Sequence, residues 1–152
     1  MKPLEQPDKF HLNAAEGWLG LGDYNSANDE LEHISPEHRT HPDVLLLRCE
    51  IYMAAKKWDV VVSIANTLVE QCPKSSKAWI KRSYALHELK RTKEAYDLLL
   101  PAVKLFPKLW EIRYNLACYA CVMGKIKIAT ERLKQAISLA AKNGEDIRSM
   151  AL

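Results

Sequence analysis

The chain has 152 residues, 48% of them hydrophobic and 27% charged, with a formal net charge of +3. That length and composition suit one domain with a continuous core, residues 1–152, and exclude a disordered chain. The start, Met1-Lys2-Pro3-Leu4-Glu5-Gln6-Pro7, has no apolar run of signal-peptide length, and no stretch approaches the roughly 20 apolar residues that span a bilayer. Membrane partners and secretion are therefore not expected, a cytoplasmic location is expected, and the four cysteines are expected to stay reduced.

In chain order the sequence repeats with a period of 34 residues, most visibly where Cys72-Pro73 returns as Phe106-Pro107. Four windows follow: 8–41, 42–75, 76–109 and 110–143, with a tail at 144–152. The eighth position of each window is small (Ala15, Cys49, Ser83, Ala117), as close helix approach requires. The twentieth reads Ala27, Val61, Ala95 and Ala129, and the twenty-fourth reads Leu31, Ala65, Leu99 and Leu133, a second apolar stripe. Each window thus holds two helices. Gly22-Asp23, Lys56-Lys57, Lys90-Arg91 and Gly124-Lys125 mark the turns between them. The first helices are predicted over about 9–21, 43–55, 77–89 and 111–123, and the second helices run on from the turns to the prolines. Ser35 to Pro42 reads as a polar connector. Asn143-Gly144 reads as a helix stop, after which Ile147, Met150 and Ala151 recur at helical spacing in a capping segment. The short tail leaves open that the chain is a piece of a longer protein.

These residues resemble the tetratricopeptide repeat family, with its aromatic at position 4, small residues at 8 and 20, and proline near 32. The third window matches best through Trp79, Ser83, Ala95, Ala102 and Pro107. The second supplies Cys49, Tyr52, Trp58 and Pro73, and the fourth Leu116, Ala117, Ala129 and Ala136. The first window diverges most: it keeps Ala15, Trp18 and Ala27 but has His11 at position 4. The resemblance covers 136 of the 152 residues (four windows of 34). It implies an all-α fold, a right-handed superhelical solenoid of antiparallel helix pairs with a short C-terminal cap. A fold of this kind does not name a process.

The resemblance also implies a concave face built from the first helices, with peptide contacts at positions 2, 5, 6, 9, 12 and 13. Transferred to this chain, those are Leu46, Leu47, Glu50 and Met53, then Lys77, Ile80, Lys81, Tyr84 and His87, then Glu111, Tyr114, Asn115, Cys118 and Cys121. Offsets of three, four and seven place them on one helical face. Tyrosines, a thioether and charges of both signs suit a peptide or protein segment of unknown identity better than a metabolite. One subclass of the family clamps C-terminal carboxylates of heat-shock chaperones. Lys77 and Lys81 match that clamp, but Leu12, Glu16 and Leu47 stand where its other donors belong.

Charge is uneven. The first window has two basic and seven acidic residues, whereas the third has eight and three and the fourth six and two. Such a field can orient a partner or drive head-to-tail self-association, so a self-assembling structural module is the alternative to a peptide receptor. Nucleic acid is disfavoured as a partner, because Lys74, Lys77, Lys81, Arg82, Lys90, Arg91 and Lys93 spread over several helix faces.

Chemistry is not expected. Cys118-Tyr-Ala-Cys121 has a two-thiol spacing but falls late in a helix, away from the N-terminal dipole that activates such pairs, and no second ligand pair follows it. His33, His38 and His41 lack a clear fourth ligand and read as exposed polar residues, so neither metal nor cofactor is expected. No phosphate loop, nucleophile elbow or His-Glu-x-x-His helix is present, and His87-Glu88 is only an adjacent pair. Arg48 and Arg82 both hold position 7. Their stems are expected to pack while their heads reach water; the alternative is a semi-buried pair compensated by Glu50, Glu16 or a partner carboxylate.

Overall fold

The computed structural model describes residues 2–151, so Met1 and Leu152 of the expected domain, and the side chain of Ala151, lie outside the described residues. Its helices are α1 (Asp8–Gly20), α2 (Tyr24–Leu31), α3 (Pro42–Ala54), α4 (Trp58–Gln71), α5 (Ser76–Glu88), α6 (Thr92–Leu99), α7 (Ala102–Leu105), α8 (Trp110–Val122) and α9 (Ile126–Lys142). No strand occurs among the described residues. The first helices of the four windows begin at residues 8, 42, 76 and 110, one residue ahead of the predicted register in every window. At α3 the cause is local. Pro42 occupies the first turn, where its missing N–H costs nothing, and His41 Nδ1 accepts from the Asp43 N–H at 3.2 Å.

The turns inside the windows share one geometry. Gly22, Lys56, Lys90 and Gly124 all have positive φ, at 80°, 56°, 64° and 75°. The following residue donates its N–H to the carbonyl five residues back: Asp23 to Trp18, Lys57 to Tyr52, Arg91 to Leu86 and Lys125 to Ala120, all at 2.9–3.0 Å. This bond satisfies an otherwise orphaned carbonyl at the end of each first helix. Glycine adopts the left-handed conformation freely, whereas a residue with a Cβ is strained there by roughly 1–2 kcal/mol. Lys56 and Lys90 therefore hold a conformation that their own side chains oppose.

Close packing beneath the turns explains the small residues. Ala15, Cys49 and Ser83 are at most 1% exposed and Ala117 is 5% exposed; Ala27, Val61 and Ala95 are fully buried. Contacts divide the chain into two units, with the boundary between Lys81 and Arg82 inside α5. In the first unit α1 packs on α2, α2 on α3 and α3 on α4. Its core includes Leu4, Leu12, Leu31, Ile34, Val44 and Ile51. Each buried aliphatic side chain of this size contributes about 1.5–3 kcal/mol. Trp79, at the aromatic position of the third window, is 9% exposed and donates its indole N–H to the Pro73 carbonyl at 2.9 Å. In the second unit α8 packs on α9 and receives α6 and α7.

Two elements depart from expectation. The second helix of the third window is broken: α6 ends at Leu99 and α7 begins at Ala102, because Pro101 has no N–H to continue the ladder and its ring crowds the preceding turn. The tail forms a 3-10 turn (Arg148–Ala151) rather than a capping α-helix. Ile147 still covers the last repeat, 3% exposed against Trp110, Ala136 and Ala140, whereas Met150 is 53% exposed. The polar connector also carries a 3-10 turn, Pro36–His38.

Candidate functional site

In the first unit, the face of α1, α3 and the beginning of α5 surrounds a concavity of about 220 Å³. Leu12, Glu16, Asp43, Leu46, Leu47, Glu50 and Lys77 line it. Leu46, Glu50 and Lys77 were selected from the sequence; helical spacing brings Leu46 and Glu50 to one side of α3, and packing of α5 adds Lys77. Leu46 and Met53 are half-buried, and Glu50 and Lys77 are exposed. Lys81 does not project freely: its ammonium donates to Glu50 Oε1 at 3.1 Å. Leu12 and Leu47, two of the three clamp positions that lacked a donor, are buried in the core at 9% and 4% exposure. Cys49, buried on the same helix as Leu47, is inert, its thiol pushed up to about 12 by burial.

In the second unit, α8 and α9 border an apolar hollow of about 400 Å³. Tyr114, Cys118 and Cys121 of α8 line it with Val122, Ile126 and Leu133. Tyr114 donates its hydroxyl to the Met150 carbonyl at 2.8 Å, so the tail fixes its orientation. Desolvation is the main cause that raises the pKa of Tyr114 and of the Cys118 thiol, which keeps the thiol in its neutral form. Cys118 and Cys121 are both free and exposed. Tyr84 is 40% exposed. His87 is half-buried, shares a 3.0 Å hydrogen bond with Thr92 Oγ1 and packs on Tyr119 at 5.1 Å between ring centroids. Asn115 is half-buried, and Oε2 of Glu111 is a buried acceptor with no hydrogen-bond partner among the described residues. Tyr119 itself was not foreseen as part of this arrangement. Its hydroxyl meets Ser83 Oγ at 3.1 Å, and burial pushes its pKa up to about 12.

Both arginines at position 7 find partners within the protein; burial of Arg82 corrects the expectation that its head reaches water, whereas Arg48 pairs with the exposed Glu32 at the surface. Arg48 donates to Asn28 Oδ1 at 3.1 Å and to Glu32 Oε1 at 2.7 Å, not to Glu50 or Glu16. Arg82 is only 9% exposed and donates to the Leu98 carbonyl at 3.1 Å; burial lowers its pKa. A guanidinium can be buried this way because its planar fork reaches several acceptors at once.

The three histidines grouped in the sequence separate in the fold. His38 donates from Nδ1 to Oδ2 of Asp8 at 2.5 Å, and His41 donates from Nε2 to the Lys2 carbonyl at 2.8 Å. Asp8, 3% exposed, also accepts from the Ser35 N–H at 2.9 Å and hydroxyl at 3.0 Å. The Ser35 backbone bond, the His38 bond and the Ser35 hydroxyl together hold its carboxyl below the ordinary aspartate range, against the opposing effect of burial. His33 instead lies beside His11 and Glu30. No helix is long and apolar enough to cross a membrane among the described residues.

Several solved structures share this architecture. MamA MSR-1 has a TM-score of 0.75 at 21% identity, covering 88% of this chain and 76% of its own. A further MamA crystal structure gives 0.81 at 11% identity, covering 91% and 82%. TTC0263, a thermophilic TPR protein in Thermus thermophilus, gives 0.74 at 20% identity, covering 90% and 76%. No protein-family model and no curated protein matches the chain. At these identities the likeness speaks to fold and not to function. The four-window period, the repeated left-handed turns and these structural matches together establish that the chain has the tetratricopeptide-repeat fold.

Proposed function

We propose that the chain is a non-catalytic protein-interaction module of the cytoplasm that binds a peptide or protein segment through the first helices of its hairpins. The observation that carries this reading is the convergence of Leu46, Glu50 and Lys77 on one concavity, where leucines lie beside charges of both signs. Such a surface offers apolar burial to a side chain and polar partners to the backbone that carries it. In the second unit, Tyr114 and Cys118 line the more apolar hollow, and Tyr84, His87 and Asn115 are the further contacts of this reading. Tyrosines suit it, because they bury a large area with little loss of side-chain freedom.

Two variants test the reading, each paired with circular dichroism to verify folding. Leu46→Ala/Lys77→Glu alters the first unit and Tyr84→Ala/Tyr114→Ala the second. Proteins captured from source-cell lysate by the wild type and quantified by mass spectrometry should include one whose recovery falls with at least one folded variant. Equal recovery with all three baits would overturn the assignment of these faces. The uneven charge between windows supports the alternative, a self-assembling module. It would instead show a molecular mass that rises with concentration and collapses with salt.

A further inference from the structure

We propose that His11, Glu30 and His33 form a binding site for one divalent transition-metal ion of the zinc class, which ties α1 to the end of α2. One ligand atom from each residue lies within 4.8 Å of the other two. His11 Nδ1 donates to Glu30 Oε1 at 2.7 Å, and the His11 and His33 rings stack at 5.3 Å between centroids with only 19° between their planes. Bonds of about 2.1 Å to a tetrahedral ion place ligand atoms about 3.4 Å apart, so the His11–Glu30 pair opens slightly and no other pair closes by more than about 1.4 Å, within reach of side-chain rotation. The ion would replace the proton shared by His11 and Glu30.

The placement is a product of this fold. His11 occupies the position where the repeat resemblance puts an aromatic, so an imidazole stands where α1 meets α2. Glu30 is in the last turn of α2, and His33, three residues on, lies in the turn that follows it. Their backbone is already fixed, since the His33 N–H donates to the Glu30 carbonyl at 3.1 Å. Phe10 packs edge-on against His11 at 5.5 Å and limits how its ring turns. His11 and Glu30 are partly shielded, with side chains 22% and 21% exposed, while His33 is exposed and provides the entry path.

Two imidazoles and one carboxylate favour zinc, nickel, copper(II) or cobalt over magnesium and calcium, which prefer oxygen alone. The seven acidic residues of the first window against two basic ones favour a cation there. Three protein ligands leave at least one coordination position to water or to a donor from a partner. The site is separate from the proposed peptide-contacting residues.

The test uses the full chain carrying Cys72→Ser/Cys118→Ser/Cys121→Ser, which removes the three thiols that are not buried, and zinc chloride in isothermal titration. One equivalent should bind, and His33→Ala and Glu30→Gln should each weaken it by at least about tenfold, as loss of a direct ligand exceeds the loss of an outer partner. Zinc should raise the thermal midpoint of the parent but not of either variant, and cobalt should give a spectrum lacking a thiolate charge-transfer band. Circular dichroism without metal verifies that the variants are folded. Absence of saturable binding, or stoichiometry and affinity unchanged in His33→Ala, would overturn the site. Neither result depends on whether a peptide partner exists.

Discussion

In the first hairpin, Asp8 at the start of α1 is buried and gathers Ser35 and His38 from the connector that follows α2. In the last hairpin, Trp110 at the corresponding start of α8 is buried among Ala136, Ala140 and Ile147. The two positions share a repeat register but are closed by different forces. A charged hydrogen-bonded closure responds to pH and to loss of a partner, whereas an apolar closure responds to lost volume. Repeat proteins preserve the contacts between their helices while allowing each end of a window to be closed by whatever chemistry its neighbours supply.

The largest effect that breaks this comparison is expected at the apolar end. Trp110→Ala removes a ring that is 8% exposed and its 3.1 Å bond to Glu145, and should cost about 3–5 kcal/mol in urea denaturation. A loss below about 1 kcal/mol, the scale of a surface substitution, would mean the tail does not cover α8 in solution.

Asp8→Ala should cost less, about 1–3 kcal/mol, because it leaves the Ser35 N–H without its acceptor. Its signature is the pH dependence. The folded-state pKa of Asp8 lies below its unfolded value, so its contribution is complete above the unfolded value near pH 4 and is lost as pH falls through the folded value. The stability difference between wild type and Asp8→Ala should therefore shrink as the solution is acidified below about pH 4. Trp110→Ala should show no comparable shrinkage. A pH-independent difference at Asp8 would remove the electrostatic half of the comparison.

The smallest effect sharpens what the two units have in common. Lys56→Gly and Lys90→Gly relieve positive φ in the first and second units, offset by the greater freedom of glycine in the unfolded chain, and each should stabilise by about 0.5–1 kcal/mol. Similar gains in thermal midpoint would show that the two turns are energetically equivalent. A loss at either would show that its lysine makes a compensating contact.

The hairpins were legible in the residues themselves. Gly22, Lys56, Lys90 and Gly124 recur at one interval, and their turns adopt one geometry because the ends of helices satisfy their carbonyls locally. The Pro101 break was also written in the chain but was hidden by the stronger periodic signal from Ala95, Leu99 and Ala102. The candidate contact residues came from the family resemblance, and helical offsets added that they share a side but not what each side chain touches. Lys81 pairs with Glu50 and His87 packs on Tyr119, and neither contact follows from a position within one window.

The sequence by itself determined the period, the paired helices, the turn positions and the small residues between packed helices, because all of these follow from backbone geometry and excluded volume within about 34 residues. Tertiary structure decided the polar partners: Asp8 with Ser35 and His38, Arg48 with Asn28 and Glu32, and His11 with Glu30 and His33. A polar side chain accepts any complementary group that the fold brings within about 3 Å, and that choice is made only where separate elements meet.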